Sequence, residues 1–472
     1  MSDAAAPGLF DRAIRRITTA WRDMAASVGR DEDDGIAAQM RACLASRGGE
    51  VSARNRAAKL AQTYLSLDDA GRLDFLRVLA AFDSDPAAVA AAYQRVQDAT
   101  DPAERARATA ALRRALEPPR MRLLTQFTTI PDGMKFIVEL RAFLLAAAAA
   151  QKPADPLLEA LERDLRTMLG NWFDVGFLEL ARIDWSSPAA LLEKLVGYEA
   201  VHFIRSWRDL KNRLDSDRRC YAFFHPRMPH EPLIFVEVAL VEGLAGSVQN
   251  LLDQDAPLLD PGKADTAIFY SISNCQNGLA GISFGNFLIK RVVELLGAEF
   301  RNLKTFATLS PIPGFRRWLD GKLTADDSAT LLSETESSAL LSVAPVIGAA
   351  HDSGVAALGA ILARRGWHRD ATLLKVVEPV LIRLCARYLV REANGKRALD
   401  PVAHFHLSNG ARVEQIRMSG DTSEKGIKES ATLMVNYLYD PARIEDYHED
   451  YAGEGKRNAS TNVRRLARGW GG

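Results

Sequence analysis

Ala267-Ile-Phe-Tyr-Ser-Ile-Ser273, Gln276-Asn-Gly-Leu-Ala-Gly-Ile-Ser-Phe-Gly285, Asn286-Phe-Leu-Ile-Lys-Arg-Val-Val-Glu-Leu-Leu296 and Lys304-Thr-Phe-Ala-Thr-Leu309 follow one another in the middle of the chain. They read as a strand, a glycine-rich turn, a helix and a second strand. The helix carries Leu288, Val292 and Leu295 at helical spacing, with Lys290, Arg291 and Glu294 on the outer face. The second strand delivers Ser310 just before the stiff Pro311-Ile-Pro-Gly-Phe315. A strand feeding such a turn aims main-chain N–H groups and a helix N-terminus at one point, where an anion can sit. The other reading of Gly278, Gly281 and Gly285 is tight turning and close packing of helix on sheet.

Upstream, from Leu9 to about Leu169, the chain reads as helix, rich in alanine and leucine. Phe10, Ile14, Ile17 and Trp21 form one stripe. Ser52 is expected to cap a helix, Asp68 and Asp69 to begin another, and Asp101-Pro102 and Asp155-Pro156 to open two more. No fixed repeat period is present, so an irregular bundle is expected over residues 1–170, serving oligomerisation or support.

Strand signals become frequent after Gly170, notably Cys220–Phe224 and Leu233–Val241. Alternation with helices predicts an α/β or α+β domain with a central sheet over residues 171–472. A helical insertion is expected over about residues 323–393, its last helix kinked or restarted at Pro379. Val402–Leu407 and Arg412–Arg417 flank Ser408-Asn409-Gly410, which predicts a hairpin. The polar, basic tail is expected to be mobile.

At 472 residues, two domains or more are expected. With 60 basic and 60 acidic side chains the formal charge is zero, which argues against bulk binding to nucleic acid or anionic membrane. The four cysteines, Cys43, Cys220, Cys275 and Cys385, lack metal-ligand spacing. Few cysteines in a long chain, with no secretory signal pattern, point to a reduced, cytoplasmic setting.

The central stretch resembles malonyl-CoA decarboxylases. The resemblance rests on Phe269–Ser273, Gly278-Leu-Ala-Gly281, Gly285 with Phe287–Val293, and Leu309-Ser-Pro-Ile-Pro-Gly-Phe315. It continues in Phe405-His-Leu-Ser-Asn-Gly-Ala411 and Asn436-Tyr-Leu-Tyr439. It implies an N-terminal helical bundle, then a GNAT acyltransferase-like α/β catalytic domain with a helical insertion. The activity implied is conversion of malonyl-CoA to acetyl-CoA and carbon dioxide. The resemblance also suggests a homo-tetramer.

Decarboxylating a malonyl thioester needs little equipment, because the thioester carbonyl is itself the electron sink. No cofactor or metal is required in principle. The site must anchor CoA, stabilise an enolate oxygen and protonate the carbanion. Gln276, Asn277, Gly278, Gly281, Ser283 and Gly285 are the expected CoA-binding turn. The resemblance makes Ser310 the residue that orients the substrate and His406 the proton donor, with Tyr439 donating to the same oxygen. His404 and His406 are two apart, so on the expected strand both share a face. Relatives carry a glutamate where this chain has Ser283, so any proton handling assigned to that acid must pass elsewhere. Two other classes stay open, an acyl-CoA transferase acting on an amine and a non-catalytic acyl-CoA sensor.

Overall fold

Asp85-Pro86, Asp101-Pro102 and Asp155-Pro156 each open a helix: the aspartate accepts from an amide of the first turn, and the proline sits where its missing N–H costs nothing. The computed structural model describes residues 21–22, 24–25, 35–45, 49–282, 287–325, 328–343 and 352–468. The chain divides into two units. One is Met1–Glu179 with Phe224–Leu233 and Asn274–Ser283; the other is Leu180–Phe223, Ile234–Ser273 and Phe284–Gly472.

The first unit is helical. Its helices are α1 (Ile36–Leu44), α2 (Glu50–Ser66), α3 (Asp69–Ala80), α4 (Pro86–Asp98), α5 (Pro102–Leu116), α6 (Pro119–Phe127), α7 (Gly133–Ala150) and α8 (Pro156–Trp172). Asp68 caps α3 as expected. Ser52 caps nothing; it lies inside α2, which starts at Glu50. At the centre of the unit the Phe136 ring meets Trp21, Tyr64 and Phe127 edge-on, with centroids 5.0–5.5 Å apart. The Trp21 indole donates to the Pro131 carbonyl at 2.8 Å, so its polar edge is satisfied inside the core. Phe10, Ile14 and Ile17 lie outside the described residues.

The second unit is built on a mixed sheet, eight-stranded among the described residues. Its strands are β1 (Glu179–Ile183), β2 (Arg218–Phe224), β3 (Ile234–Val241), β4 (Thr266–Asn274), β5 (Thr305–Thr308), β6 (Ser310–Pro311), β9 (Arg412–Arg417) and β10 (Met434–Leu438). Helices α9 (Ala189–Tyr198) and α10 (Trp207–Arg213) lie between β1 and β2, α11 (Val248–Leu251) between β3 and β4, and α12 (Phe287–Glu299) between β4 and β5. Leu288 and Val292 of α12 are buried, as their spacing predicts, whereas Leu295 is exposed and the neighbouring Leu296 is buried in its place.

One break in the sheet positions the site. β4 and β5 pair in parallel from Thr266–Thr305 to Phe269–Thr308. The ladder ends with the Leu309 amide on the Phe269 carbonyl. From Ser310 onward the chain pairs instead with β10, Ser310 opposite Val435 and Pro311 opposite Met434. Proline next in sequence favours this extended geometry at Ser310. Beyond Phe269, β4 is thereby separated from the strand that carries the serine.

The helical insertion follows as α13 (Phe315–Leu323), α14 (Glu334–Val343), α15 (Gly354–Ala363) and α16 (Ala371–Val390). α16 runs through Pro379 without ending there. A two-strand ladder follows, β7 (Ala393–Asn394) and β8 (Arg397–Ala398).

The expected hairpin strand at Val402–Leu407 is instead helix α17 (Pro401–Ser408). Asp400-Pro401 is the same start signal as in the first unit, and Gly410, at φ +77°, ends the helix. Asn409-Gly410 thus serves as a helix stop, a use of left-handed backbone as legitimate as a hairpin turn. Helices α18 (Glu424–Ser430), α19 (Ile444–Glu454) and α20 (Thr461–Arg468) complete the unit. The tail expected to be mobile is ordered in α20, where Val463 and Ala467 are buried.

Candidate active site

Thr308, Ser310, His406, Tyr437 and Tyr439 come together in the second unit. Thr308 and Ser310 are two apart, the strand period, and share a face. The Ser310 hydroxyl donates to Thr308 Oγ1 at 2.8 Å and stands 2.9 Å from His406 Nε2. On the far side of the ring, Nδ1 lies 2.8 Å from the Tyr439 hydroxyl. The Tyr437 ring stacks beneath the imidazole, centroids 4.4 Å apart and planes 24° apart. The groups therefore form one buried chain, Thr308–Ser310–His406–Tyr439, braced from below by an aromatic face.

Local irregularity in β10 aims these groups. The β9–β10 register shifts between Asn436 and Tyr437. There the Tyr437 amide donates to the Thr308 side chain at 3.1 Å, while Asn436 Nδ2 donates to the Thr308 carbonyl at 2.8 Å. A bulge of this kind re-aims neighbouring side chains and commonly sits beside a functional site.

Ser310 is 5% exposed and His406 3%. Burial pushes the His406 imidazole down to about 3, and among the described residues no charged neighbour pulls it back. The ring is therefore neutral over the ordinary pH range and carries one N–H. With Ser310 donating to Thr308, the ring N–H falls on Nε2 and donates to Ser310, and Nδ1 accepts from Tyr439. Burial also pushes the Tyr439 hydroxyl well above the usual phenol range, so it stays protonated.

The two histidines do not share a face. In α17 two residues turn the helix by about 200°, and His404 Nδ1 meets the Tyr451 hydroxyl instead, at 2.8 Å. The motif named His406, which the structure brings to Ser310, but the sequence reading expected a strand where a helix carries it. It missed Thr308 and Tyr437, although each stands two residues from a named residue on a strand, where the period of 2 marks a shared face.

The expected CoA-binding turn is placed differently from expectation. Gln276, Asn277, Gly278 and Gly281 belong to the helical unit. Gln276 is held between Lys135 Nζ at 2.6 Å and the Pro232 carbonyl at 2.8 Å. A Cβ on Gly278 would fall 1.7 Å from the Val138 carbonyl of α7, so this glycine permits close packing on a helix. Arg141 donates to the carbonyls of Gly278 and Ala280, and Arg166 to that of Gly281. The amides of Leu279, Ala280 and Ile282 are bonded to carbonyls within the turn. Local turns consume three amides of residues 276–282, and three of the carbonyls there accept from arginines. Asn277 and Gly281 are exposed, and Ser283 and Gly285 lie outside the described residues.

The chain is similar to known proteins over most of its length. Residues 176–470 match the profile of the malonyl-CoA decarboxylase C-terminal domain, and residues 82–173 that of the N-terminal domain. The chain is 41% identical to a mitochondrial malonyl-CoA decarboxylase of Anser anser anser over 328 residues, which is 68% of this chain and 64% of that protein. The corresponding protein of Rattus norvegicus is 38% identical over 75% of this chain and 72% of its own. Crystal structures of malonyl-CoA decarboxylases superpose on the chain with a TM-score of 0.80. That from Rhodopseudomonas palustris is 41% identical and covers 91% of this chain and 98% of its own. That from Agrobacterium vitis is 39% identical and covers 92% and 99%. With the profiles spanning both the helical and the sheet regions, the chain belongs to the malonyl-CoA decarboxylase family.

Proposed function

We propose that this chain decarboxylates malonyl-CoA to acetyl-CoA and carbon dioxide, with Ser310 orienting the acyl group and His406 delivering the proton to C2. The observation that carries this reading is the buried Ser310–His406–Tyr439 chain, which joins a neutral donor to a group able to move a proton.

In the proposed reaction the Ser310 hydroxyl leaves Thr308 and donates to an oxygen of the malonyl group. The C2–carboxylate bond breaks, its electron pair flows into the thioester carbonyl, and carbon dioxide departs. The resulting enolate takes a proton at C2 from His406 Nε2. An anionic substrate supplies the counter-charge that the buried ring lacks, which favours the imidazolium at the moment it is needed. Tyr439 suits both states of the ring, because a phenol donates to a bare Nδ1 and accepts from Nδ1–H. Solvent supplies the proton to the neutral ring when the anionic substrate binds, before the C2–carboxylate bond breaks, and giving it to C2 returns the ring to its neutral state.

Incubating the protein with malonyl-CoA alone and following acetyl-CoA tests the reading. Acetyl-CoA formed without an acceptor is the expected result. A requirement for an amine acceptor would point to transfer, and binding without turnover to a sensor; either overturns the proposal.

A further inference from the structure

Asp400 is 0% exposed, and all four of its hydrogen bonds described here are accepted. Oδ1 accepts from the amides of Val402 at 2.9 Å and Ala403 at 3.0 Å, the N-cap of α17. Oδ2 accepts from the Gly314 amide at 3.2 Å and from the Tyr388 hydroxyl, on α16, at 3.3 Å. Four donors converging on one side chain match an ionised carboxylate, which is acceptor-only. Burial pushes its pKa up, and the amide and phenol donors pull it back.

The two oxygens reach two different segments. Gly314 ends the rigid Pro311-Ile-Pro-Gly turn that starts directly after Ser310, and α17 is the helix that carries His406. α17 has only eight residues, so its N-cap and the His406 ring belong to one short rigid body. Gly314 leaves room for the junction: a Cβ there would fall 2.2 Å from the Tyr388 oxygen and 3.4 Å from Asp400 Oδ2. Among the described residues no bond joins Asp400 to Ser310, His406 or Tyr439, so any effect on the chemistry acts through position.

We propose that Asp400 is a positioning residue for the reaction, holding His406 Nε2 within hydrogen-bond reach of Ser310 Oγ by tying both segments to one carboxylate. This rests on the reading of Ser310 and His406 as the reacting pair. Asp400→Asn replaces one acceptor with an NH₂ group that must face N–H or O–H donors, so the junction loosens on at least one side. Displacement of a reacting group on the scale of 1 Å costs about 10²-fold in rate.

A double-mutant cycle on turnover tests the idea. Asp400→Asn is expected to lower kcat by about 10²-fold with KM for malonyl-CoA within about threefold of wild type. In a His406→Ala background the same change should lower the residual rate by less than about threefold, because the group being positioned is gone. An unchanged kcat in folded Asp400→Asn overturns the proposal. So does an equal loss in both backgrounds, the signature of a purely structural role. Wild-type turnover in His406→Ala alone would instead sink the reading of the pair, and the proposal with it. Should Asp400→Asn not fold, Tyr388→Phe decides, since it removes one of four donors and keeps the helix cap. It should lower kcat several-fold in the wild-type background and not in His406→Ala; no change in either overturns the proposal.

Discussion

Ser310 Oγ and His406 Nε2 stand 2.9 Å apart although 96 residues separate them in sequence. A strand end brings one and a short helix the other, and neither approach is readable from local pattern. If the pair serves one event, each of Ser310→Ala and His406→Ala should lower turnover by about 10²- to 10⁴-fold with CoA affinity little changed. The double variant should be scarcely worse than the poorer single one. Steady-state kinetics with calorimetric CoA binding checks this, and additive losses would show two independent roles.

Tyr439→Phe isolates the far end of the chain. It leaves the hydrocarbon packing and removes the hydroxyl 2.8 Å from Nδ1. An unpaired buried ring nitrogen costs about 1–3 kcal/mol, so a fall in kcat of roughly tenfold is expected, with KM held. A variant as active as wild type would make the phenol a packing residue only.

His404→Ala is the contrasting case. Its ring is bonded to Tyr451, away from the Ser310 chain. Turnover within about twofold of wild type is expected, with about 1 kcal/mol of stability lost with the bond. Collapse of turnover, with His406→Ala still active, would show that the other histidine carries the proton.

The His406 imidazole also predicts a pH signature in stability. Its pKa lies near 6.5 in an unfolded chain and is pushed down to about 3 in the folded one. Between these values the unfolded state binds more protons, so the ring's contribution is intact above about 6.5 and is lost progressively as pH falls towards 3. Denaturant unfolding of wild type and His406→Gln from pH 7 to pH 4 measures it. The variant should lose less stability over that interval; identical slopes would mean that the ring is not held neutral by burial.

Gly278→Ala tests the revised role of the glycine turn. The added methyl would lie 1.7 Å from a helix carbonyl, so backbone must move. Overpacking of this kind costs about 1–3 kcal/mol, readable as a lowered thermal midpoint. An unchanged midpoint would remove close packing as the reason for the glycine.

Local physics determined much of this protein in advance. The Asp-Pro pairs at 85, 101, 155 and 400 start helices, because the cap and the missing N–H act within one turn; Asp260-Pro261 opens only a turn. The apolar runs of β3 and β4 and the amphipathic α12 follow from period alone. The motifs around Ser310, His406 and Tyr439 named residues that the fold does assemble. Tertiary structure decided the rest. Asn409-Gly410 suits both a hairpin and a helix stop, and the choice depends on Asp400, whose second oxygen binds a turn far away in sequence. Gly278 reads as readily for an anion nest as for close packing, and only the approach of α7, whose Val138 carbonyl a Cβ would meet at 1.7 Å, shows that it serves packing. The neutrality of His406 is likewise a property of burial. An imidazole in isolation titrates near 6.5; only the sheet, α17 and Tyr437 closing around it remove the water that would keep it there.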